Sequence, residues 1–131
     1  MKADAKTEAA VLAVMKEFAA CYARRDVKGV LALHAPDPDV VILTPAGKTI
    51  GPDGLRAMVE RDFSQHTEHW SFGWTSVSAA GPVAWVAADA TLKLEGGGQE
   101  MTMVGFVTWV LENRGGKWLI AQGHVSFPPP Q

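Results

Sequence analysis

Hydrophobic residues in the first half of the chain recur at the spacing of amphipathic helices. Over 7–25 they follow the i, i+3, i+4, i+7 pattern of a helix with one buried stripe. Asp26 is a suitable N-cap for a shorter second helix, which Pro36 and Pro38 end. A third helix is predicted over 51–66, with a proline in its first turn.

The apolar period changes from about 3.6 to about 2 after the third helix, which indicates strands. Runs over 68–79 and 83–94 are separated by Gly-Pro, and 99–128 predicts a long hairpin that turns at Asn-Arg-Gly-Gly. Residues 39–43 and 48–50 predict a short hairpin before the third helix. The order of elements predicts an α+β domain in which three helices pack on one face of an antiparallel sheet.

The composition favours a soluble, single-domain protein. We expect one domain over 1–131, with an extended proline-rich tail at 128–131. The lone cysteine, Cys21, excludes an internal disulfide and fits a reducing compartment. The chain has no apolar leader and no run long enough to span a membrane. Since the net charge is −2 and basic residues cluster only at Arg24-Arg25, we expect a cytoplasmic location and no nucleic-acid or membrane partner.

Several stretches carry a resemblance to a known superfamily: 18–26, 39–47 before Ile50-Gly51, 83–86, and 116–118 with His124-Val-Ser after it. They resemble the nuclear transport factor 2-like superfamily, in its SnoaL-like and calcium/calmodulin-dependent kinase II association-domain branches. The resemblance implies a cone-shaped cup with four long strands and a short hairpin, three helices on the concave side, a pocket between them, and a homodimer through the outer sheet face. Proteins of this superfamily are similar in this cup but differ in function: they include isomerases, cyclases, dehydratases, binding modules and assembly domains.

Asp89 is the first candidate for chemistry. Strand alternation places Trp85, Asp89 and Thr91 on one face, and similarity to the association domain puts that face in the cup. An apolar cup disfavours the ionised form of a carboxyl, which suits general acid or base chemistry. Similarity to the ketosteroid isomerase branch shifts the strand by one residue and puts Asp89 on the outer face. The sequence leaves both registers open.

Tyr22 and His124 are the other two catalytic candidates. Tyr22 either donates a hydrogen bond into the cup or reaches water at the end of the first helix. His124 lies on the outer face with Gln122 and Trp118 if Val125 faces the cup. In the other register of the last strand, His124 faces the cup and forms an acid/base pair with Asp89 across it.

The residues expected to line the cup indicate the kind of ligand. The association domain resembles a carboxylate receptor with three arginines, and the matching positions here are Ala87, Val107 and Val125. Without a cationic partner, an apolar cup favours a small, neutral, hydrophobic molecule. Thr44 stands where the isomerases have their general base, which argues against steroid-type isomerisation. The predicted ligand-binding residues are Phe18, Leu55, Val59, Phe63, Trp74, Trp85, Thr91, Met103, Val107 and Trp109.

His66, Glu68 and His69 form the only local cluster that resembles a metal site. They offer too few ligands for zinc, so we expect neither a metal nor another cofactor. Arg61 and Asp62 fit the solvated face of the third helix. The alternative is that one of them lies at the rim of the cup. The sequence thus favours a SnoaL-like small-molecule-binding protein with acid/base chemistry at the candidate residues, and the alternative is a non-catalytic dimerisation or assembly module.

Overall fold

A computed structural model describes residues 1–129 and confirms the α+β class with its three helices. The helices are α1 (Ala5–Ala23), α2 (Val27–Ala32) and α3 (Gly51–Gln65). The strands are β1 (Val41–Thr44), β2 (Gly47–Ile50), β3 (Thr67–Ala80), β4 (Val83–Gly96), β5 (Gln99–Arg114) and β6 (Lys117–Ser126). The four long strands and the short hairpin therefore appear in the predicted order.

Local side-chain chemistry determines where the helices begin. The Asp4 carboxylate accepts a hydrogen bond from the Thr7 amide at 2.8 Å, and Asp26 caps α2 by accepting from the Gly29 amide at 2.9 Å. Helix α1 ends two residues before the predicted boundary, because Arg25 has a φ of 59° and leaves the right-handed helical region. This left-handed residue turns the chain directly into α2.

The sheet is curved and unclosed, with the strand order β2-β1-β6-β5-β4-β3. Neighbouring strands are antiparallel except for β1 and β6, which are parallel. Helix α1 lies over β3, β4 and β6, and α3 lies against β2 and β3. The apolar core fills the space between these helices and the concave side of the sheet, which is the arrangement of a cone-shaped cup.

Two strand irregularities place tryptophans differently from the sequence prediction. In β3 the register shifts between Phe72 and Thr75, so the alternation slips and Trp74 faces outward with 60% of its surface exposed. In β6 a shift opposite Val110 and Leu111 leaves Trp118 buried on the inner face. The predictions that Trp74 lines the cup and that Trp118 lies on the outer face are therefore wrong, because strict alternation does not survive a bulge.

Within the described residues, no helix combines the length and the apolar character needed to cross a membrane. The predicted tail at 128–131 falls only partly within this range. Pro128 and Pro129 have no regular secondary structure, whereas residues 130 and 131 lie outside the described residues.

His34 is a buried polar residue between α2 and the sheet. Its Nδ1–H donates a hydrogen bond to the Val30 carbonyl at 2.8 Å, and the backbone beside it bridges to Ile120 of β6. Burial lowers the pKa of His34 from 6.5 to about 4, and this hydrogen bond offsets only part of the effect. The imidazole is therefore neutral in the folded protein at neutral pH.

This burial predicts a loss of stability in mild acid. Between pH 6.5 and 4 the unfolded chain binds a proton at His34 that the folded chain does not, so the free energy of unfolding falls as the pH decreases. Proton binding at His34 in the unfolded chain should lower the free energy of unfolding by about 2 kcal/mol between about pH 7.5 and pH 5. Urea unfolding at the two pH values should show a smaller loss in His34→Gln than in the wild type. Equal losses would contradict the assignment.

Candidate functional site

A cavity of about 310 Å³ lies between α1, α3 and the concave side of the sheet. Its size suits a small organic molecule, since ligand pockets are concave and mostly apolar. Its apolar lining comes from α1, α3, five strands and the segment after β6: Phe18, Ile42, Leu55, Met58, Trp70, Leu92, Leu94, Met103, Val107, Trp109, Val125 and Phe127.

Aromatic rings form the deepest part of this lining. The Phe18 ring centroid lies 4.9 Å from that of Trp109 and 5.6 Å from that of Trp70, both in edge-to-face geometry. Phe127 packs against Trp70 at 6.0 Å, after the chain has crossed β5 at Gly105. A Cβ at Gly105 would lie 1.9 Å from a backbone oxygen of the crossing chain, so only glycine allows this approach.

One end of the cavity is polar. The end of α3 and the start of β3 bring Asp62, His66 and Glu68 together, with one ligand atom of each within 4.8 Å of the others. His66 Nε2 lies 2.9 Å from Glu68 Oε2, and the Trp70 indole N–H donates to Glu68 Oε1 at 2.9 Å. Glu68 is only 6% exposed, so both of its carboxylate oxygens are held inside the protein.

The Tyr22 hydroxyl belongs to the same end of the cavity. Burial raises the pKa of Tyr22, and the charges of Glu68 and Asp62 raise it further, so the hydroxyl stays protonated at neutral pH. Among residues 1–129, no fully buried side-chain nitrogen or oxygen lacks a hydrogen-bond partner. The Tyr22 hydroxyl has no such partner in this part of the chain, so its oxygen opens into the cavity.

Asp62 offers the complementary acceptor. Burial raises the pKa of Asp62, and the charge of Glu68 adds to this effect. Its nearest ion-pair partner is Arg61, whose Nε lies 3.8 Å from Asp62 Oδ1 and whose side chain is mostly exposed at the rim. The polar end therefore offers a donor at Tyr22 and an acceptor at Asp62 to a polar group of a bound molecule.

Seven of the residues predicted to bind or act on a ligand line the cavity or its edge: Phe18, Tyr22, Leu55, Met103, Val107, Trp109 and His124. Two others, Val59 and Phe63, are buried in the core beside it. Phe63 packs edge-to-face on the Tyr22 ring at 5.4 Å and so supports that wall from behind. The structure thus puts these residues at or beside the cavity. Their roles in binding or catalysis stay predictions.

The placement of Asp89, Trp85 and Thr91 in the cup is wrong. Asp89 pairs with Phe106 and Thr91 with Val104, and all four side chains lie on the outer face of the sheet. The opposite set on β4 is buried under the helices: Ala84, Val86, Ala88, Ala90 and Leu92. This set is buried because all its side chains are apolar and can pack against the helices. Its alanines are small and leave room for α1.

His124 lies at the edge of the cavity rather than inside it. It pairs with Thr108 on the exposed face of β5 and with Leu43 of β1, and it borders the opening of the cavity. Its neighbour Val125 faces inward, as predicted for that register. The structure therefore does not bring His124 and Asp89 together across the cup.

Sequence reasoning missed the polar end as a unit. It assigned Asp62 mainly to the solvated face of α3 and grouped His66 and Glu68 with His69, whose ring instead lies 3.4 Å from Glu95 on a neighbouring strand. The available signal was the spacing, because Asp62 and His66 are four residues apart and share one side of the helix end. Glu68 follows two residues later, on the same strand face as Trp70.

Arg25 holds the junction that carries this cluster. Its Nη1 donates to the His66 carbonyl at 2.8 Å and to Thr67 Oγ1 at 3.0 Å, and its Nη2 donates to the Phe63 carbonyl. The guanidinium carbon also lies 5.4 Å from the Phe63 ring centroid. The left-handed residue after α1 therefore ties the end of that helix to the junction between α3 and β3.

Comparison with known families and structures gives consistent results. The family described as the SnoaL-like domain matches residues 11–130. A search among curated protein sequences gives no match.

Three solved structures illustrate the likeness in fold. A Novosphingobium aromaticivorans protein, named a "putative aromatic ring hydroxylase", is 17% identical with a TM-score of 0.90 over 98% of this chain and 94% of its own. A nuclear transport factor 2-like superfamily protein from Salmonella enterica is 14% identical, with a TM-score of 0.89 over 98% and 95%. A Xanthomonas campestris protein, named a "putative calcium/calmodulin dependent protein kinase II association domain", is 25% identical, with a TM-score of 0.81 over 92% and 87%.

The Arg25 contacts predict a measurable contribution to stability. Arg25→Ala removes the hydrogen bonds to the junction but keeps a strained backbone, so it should lower the free energy of unfolding by about 1–2 kcal/mol. Urea unfolding of the two proteins measures this difference. Arg56→Ala, a substitution of an exposed arginine on α3, is the control and should change stability by less than about 0.5 kcal/mol. Equal effects of the two substitutions would contradict the role of Arg25.

Proposed function

Because the chain belongs to the SnoaL-like domain family, we propose that it binds a small, largely apolar molecule in the cavity between the helices and the sheet. The observation that carries the proposal is the open volume of about 310 Å³ in the middle of an otherwise packed cup. A domain with a purely structural role would fill such a space with side chains, because protein interiors are close-packed.

The chemistry of the lining supports a ligand with one polar group. Aromatic and aliphatic side chains surround most of the volume, so apolar surface of the ligand is removed from water there. Tyr22 and Asp62 offer a hydrogen-bond donor and an acceptor at the end of the cavity beside α3. An asymmetric cavity of this kind orients its ligand, with the polar group toward α3 and the apolar body toward Trp109.

The proposal is limited to binding. The carboxylate predicted for acid/base chemistry, Asp89, faces away from the cavity, and His124 lies at its edge. Of the three catalytic candidates, Tyr22 alone reaches the interior of the cavity. The hydroxylase and kinase-association names belong to proteins with the same fold and specify no activity for this chain.

Binding can be tested with 2-decalone and 2-decalol, neutral bicyclic probes that leave tryptophan fluorescence unobscured. Trp70 and Trp109 line the cavity, so saturable binding should change their emission, and titration calorimetry should give the same affinity. Val107→Phe fills the cavity from β5 and should weaken binding at least about tenfold.

The control is Thr108→Phe, at the next position on the same strand but on the exposed face. It should leave the affinity within about twofold of the wild type, because neighbouring strand residues point to opposite sides. If neither probe binds, or if both substitutions weaken binding equally, ligand binding in this cavity is excluded for neutral bicyclic molecules.

The outer sheet face supports a second proposal, a homodimer. This face exposes four large apolar side chains: Trp74, Trp85, Val104 and Phe106. Phe106, in the middle of β5, has 54% of its surface exposed. Contiguous apolar surface of this kind is typical of protein interfaces, and a two-fold pairing of sheets would cover it on both copies.

Light scattering at micromolar concentration should therefore give twice the mass of the chain. Phe106→Glu places a charge in the proposed interface and should shift the protein to the monomer. Lys16→Glu, on the exposed side of α1, changes charge elsewhere and should leave the dimer intact. A monomeric wild-type protein, or a variant that remains dimeric, would contradict an interface on this face.

A further inference from the structure

The polar end of the cavity has a composition and geometry that suit a divalent transition metal. Asp62 lies in the last turn of α3, His66 caps that helix, and Glu68 is the second residue of β3. One oxygen or nitrogen of each lies within 4.8 Å of the others. Ligand atoms around a tetrahedral zinc ion are about 3.4 Å apart, so only a small rotamer adjustment would close the site.

The charges of the three side chains suit the same ion. Two carboxylates and one neutral imidazole balance a charge of +2, and this mixed oxygen and nitrogen set suits Zn²⁺ better than Mg²⁺ or Ca²⁺, which prefer oxygen alone. Two cationic side chains lie beside the cluster: Arg25 donates to the His66 backbone carbonyl at 2.8 Å, and Arg61 is mostly exposed with its Nε 3.8 Å from Asp62 Oδ1. Water screens the charge of Arg61, so it weakens the site without blocking it.

The carboxylate of Glu68 is already held in position. The Trp70 indole N–H donates to Oε1, while Oε2 is hydrogen-bonded to His66 Nε2 at 2.9 Å. A second hydrogen bond of this kind orients a metal ligand and fixes which oxygen is free to coordinate. A metal ion bound by these two side chains would replace the hydrogen bond between His66 and Glu68.

Tyr22 supplies an independent observation. Its side chain is only 4% exposed, its hydroxyl opens into the cavity, and the charges of Glu68 and Asp62 reach it. Since no buried side-chain oxygen of residues 1–129 lacks a partner, this hydroxyl is accessible within the cavity and free to bond a molecule there. A water bound at the open coordination position of a metal ion would be such a molecule.

From this arrangement, we propose that Asp62, His66 and Glu68 bind one Zn²⁺ ion whose remaining coordination position faces the cavity. The site goes beyond the proposed binding of an apolar molecule and does not depend on it. Three protein ligands with one open position is the coordination typical of zinc that contacts a small molecule, as opposed to zinc with a purely structural role.

The test is a metal titration of the full chain after removal of metal with EDTA and dialysis. Calorimetry with ZnCl₂ should show one ion bound per chain, and MgCl₂ should show no saturable binding. Addition of CoCl₂ should produce the visible absorption of cobalt bound to nitrogen and oxygen. His66→Gln and Asp62→Asn should each weaken zinc binding at least about tenfold.

Two matched variants make the result specific. His69→Gln removes a histidine three residues away that lies outside the cluster, and it should bind zinc like the wild type. Arg61→Gln removes the neighbouring positive charge and should bind zinc more tightly. Far-ultraviolet circular dichroism of the metal-free variants checks that each one folds, and if one ligand variant fails to fold, the other decides the test.

Two outcomes would overturn the proposal: absence of saturable zinc binding at micromolar concentrations, or equal loss of binding in His66→Gln and His69→Gln. The titration contains no organic ligand, and the decalone and decalol experiments use EDTA-treated protein. The metal site and the apolar binding site can therefore each fail while the other holds.

Discussion

The pairing of β4 with β5 is the constraint on which the candidate site depends. Its register continues without a shift from Val83 opposite Glu112 to Gly96 opposite Gln99. Residues directly opposite in such a pair share a face, so Val86 joins Trp109 and Ala88 joins Val107 on the side that the helices cover. The same register places Asp89 outside. One choice of register thus determines both the apolar lining of the cavity and the exposed apolar face.

Two local irregularities adapt this regular pairing to a cup. Each inserts one extra residue on one strand, which bends the strand and redirects the side chains that follow. In β6 the shift lets Ile120 and Gly123 both face inward. A Cβ at Gly123 would lie 3.2 Å from the Trp109 ring, so a glycine there makes room for the indole at the base of the cavity. The cavity thus depends on the bulges as well as on the register.

The sequence was sufficient to predict the elements because their signals are local. Helical spacing, the Asp26 cap and the change of period near His66 each depend on a few neighbouring residues. The faces of the strands are different, because alternation defines two sets without saying which one is buried. In β4 both sets contain large apolar residues, Trp85 in one and Leu92 in the other. Only the pairing with β5 and the packing of α1 separate them, and these are long-range contacts.

The polar end of the cavity shows most clearly how the fold separates structural from binding groups. Glu68 is buried, but its two oxygens are hydrogen-bonded to Trp70 and His66, so the free-energy cost of its burial is offset within the chain. The Tyr22 hydroxyl and the Asp62 carboxylate instead direct their hydrogen-bonding capacity into the cavity. The Glu68 carboxylate is thus fixed in position by its hydrogen bonds, while the Tyr22 hydroxyl and the Asp62 carboxylate face the open volume. Because no buried side-chain nitrogen or oxygen of residues 1–129 lacks a partner, the groups left free to bond are those that open into the cavity.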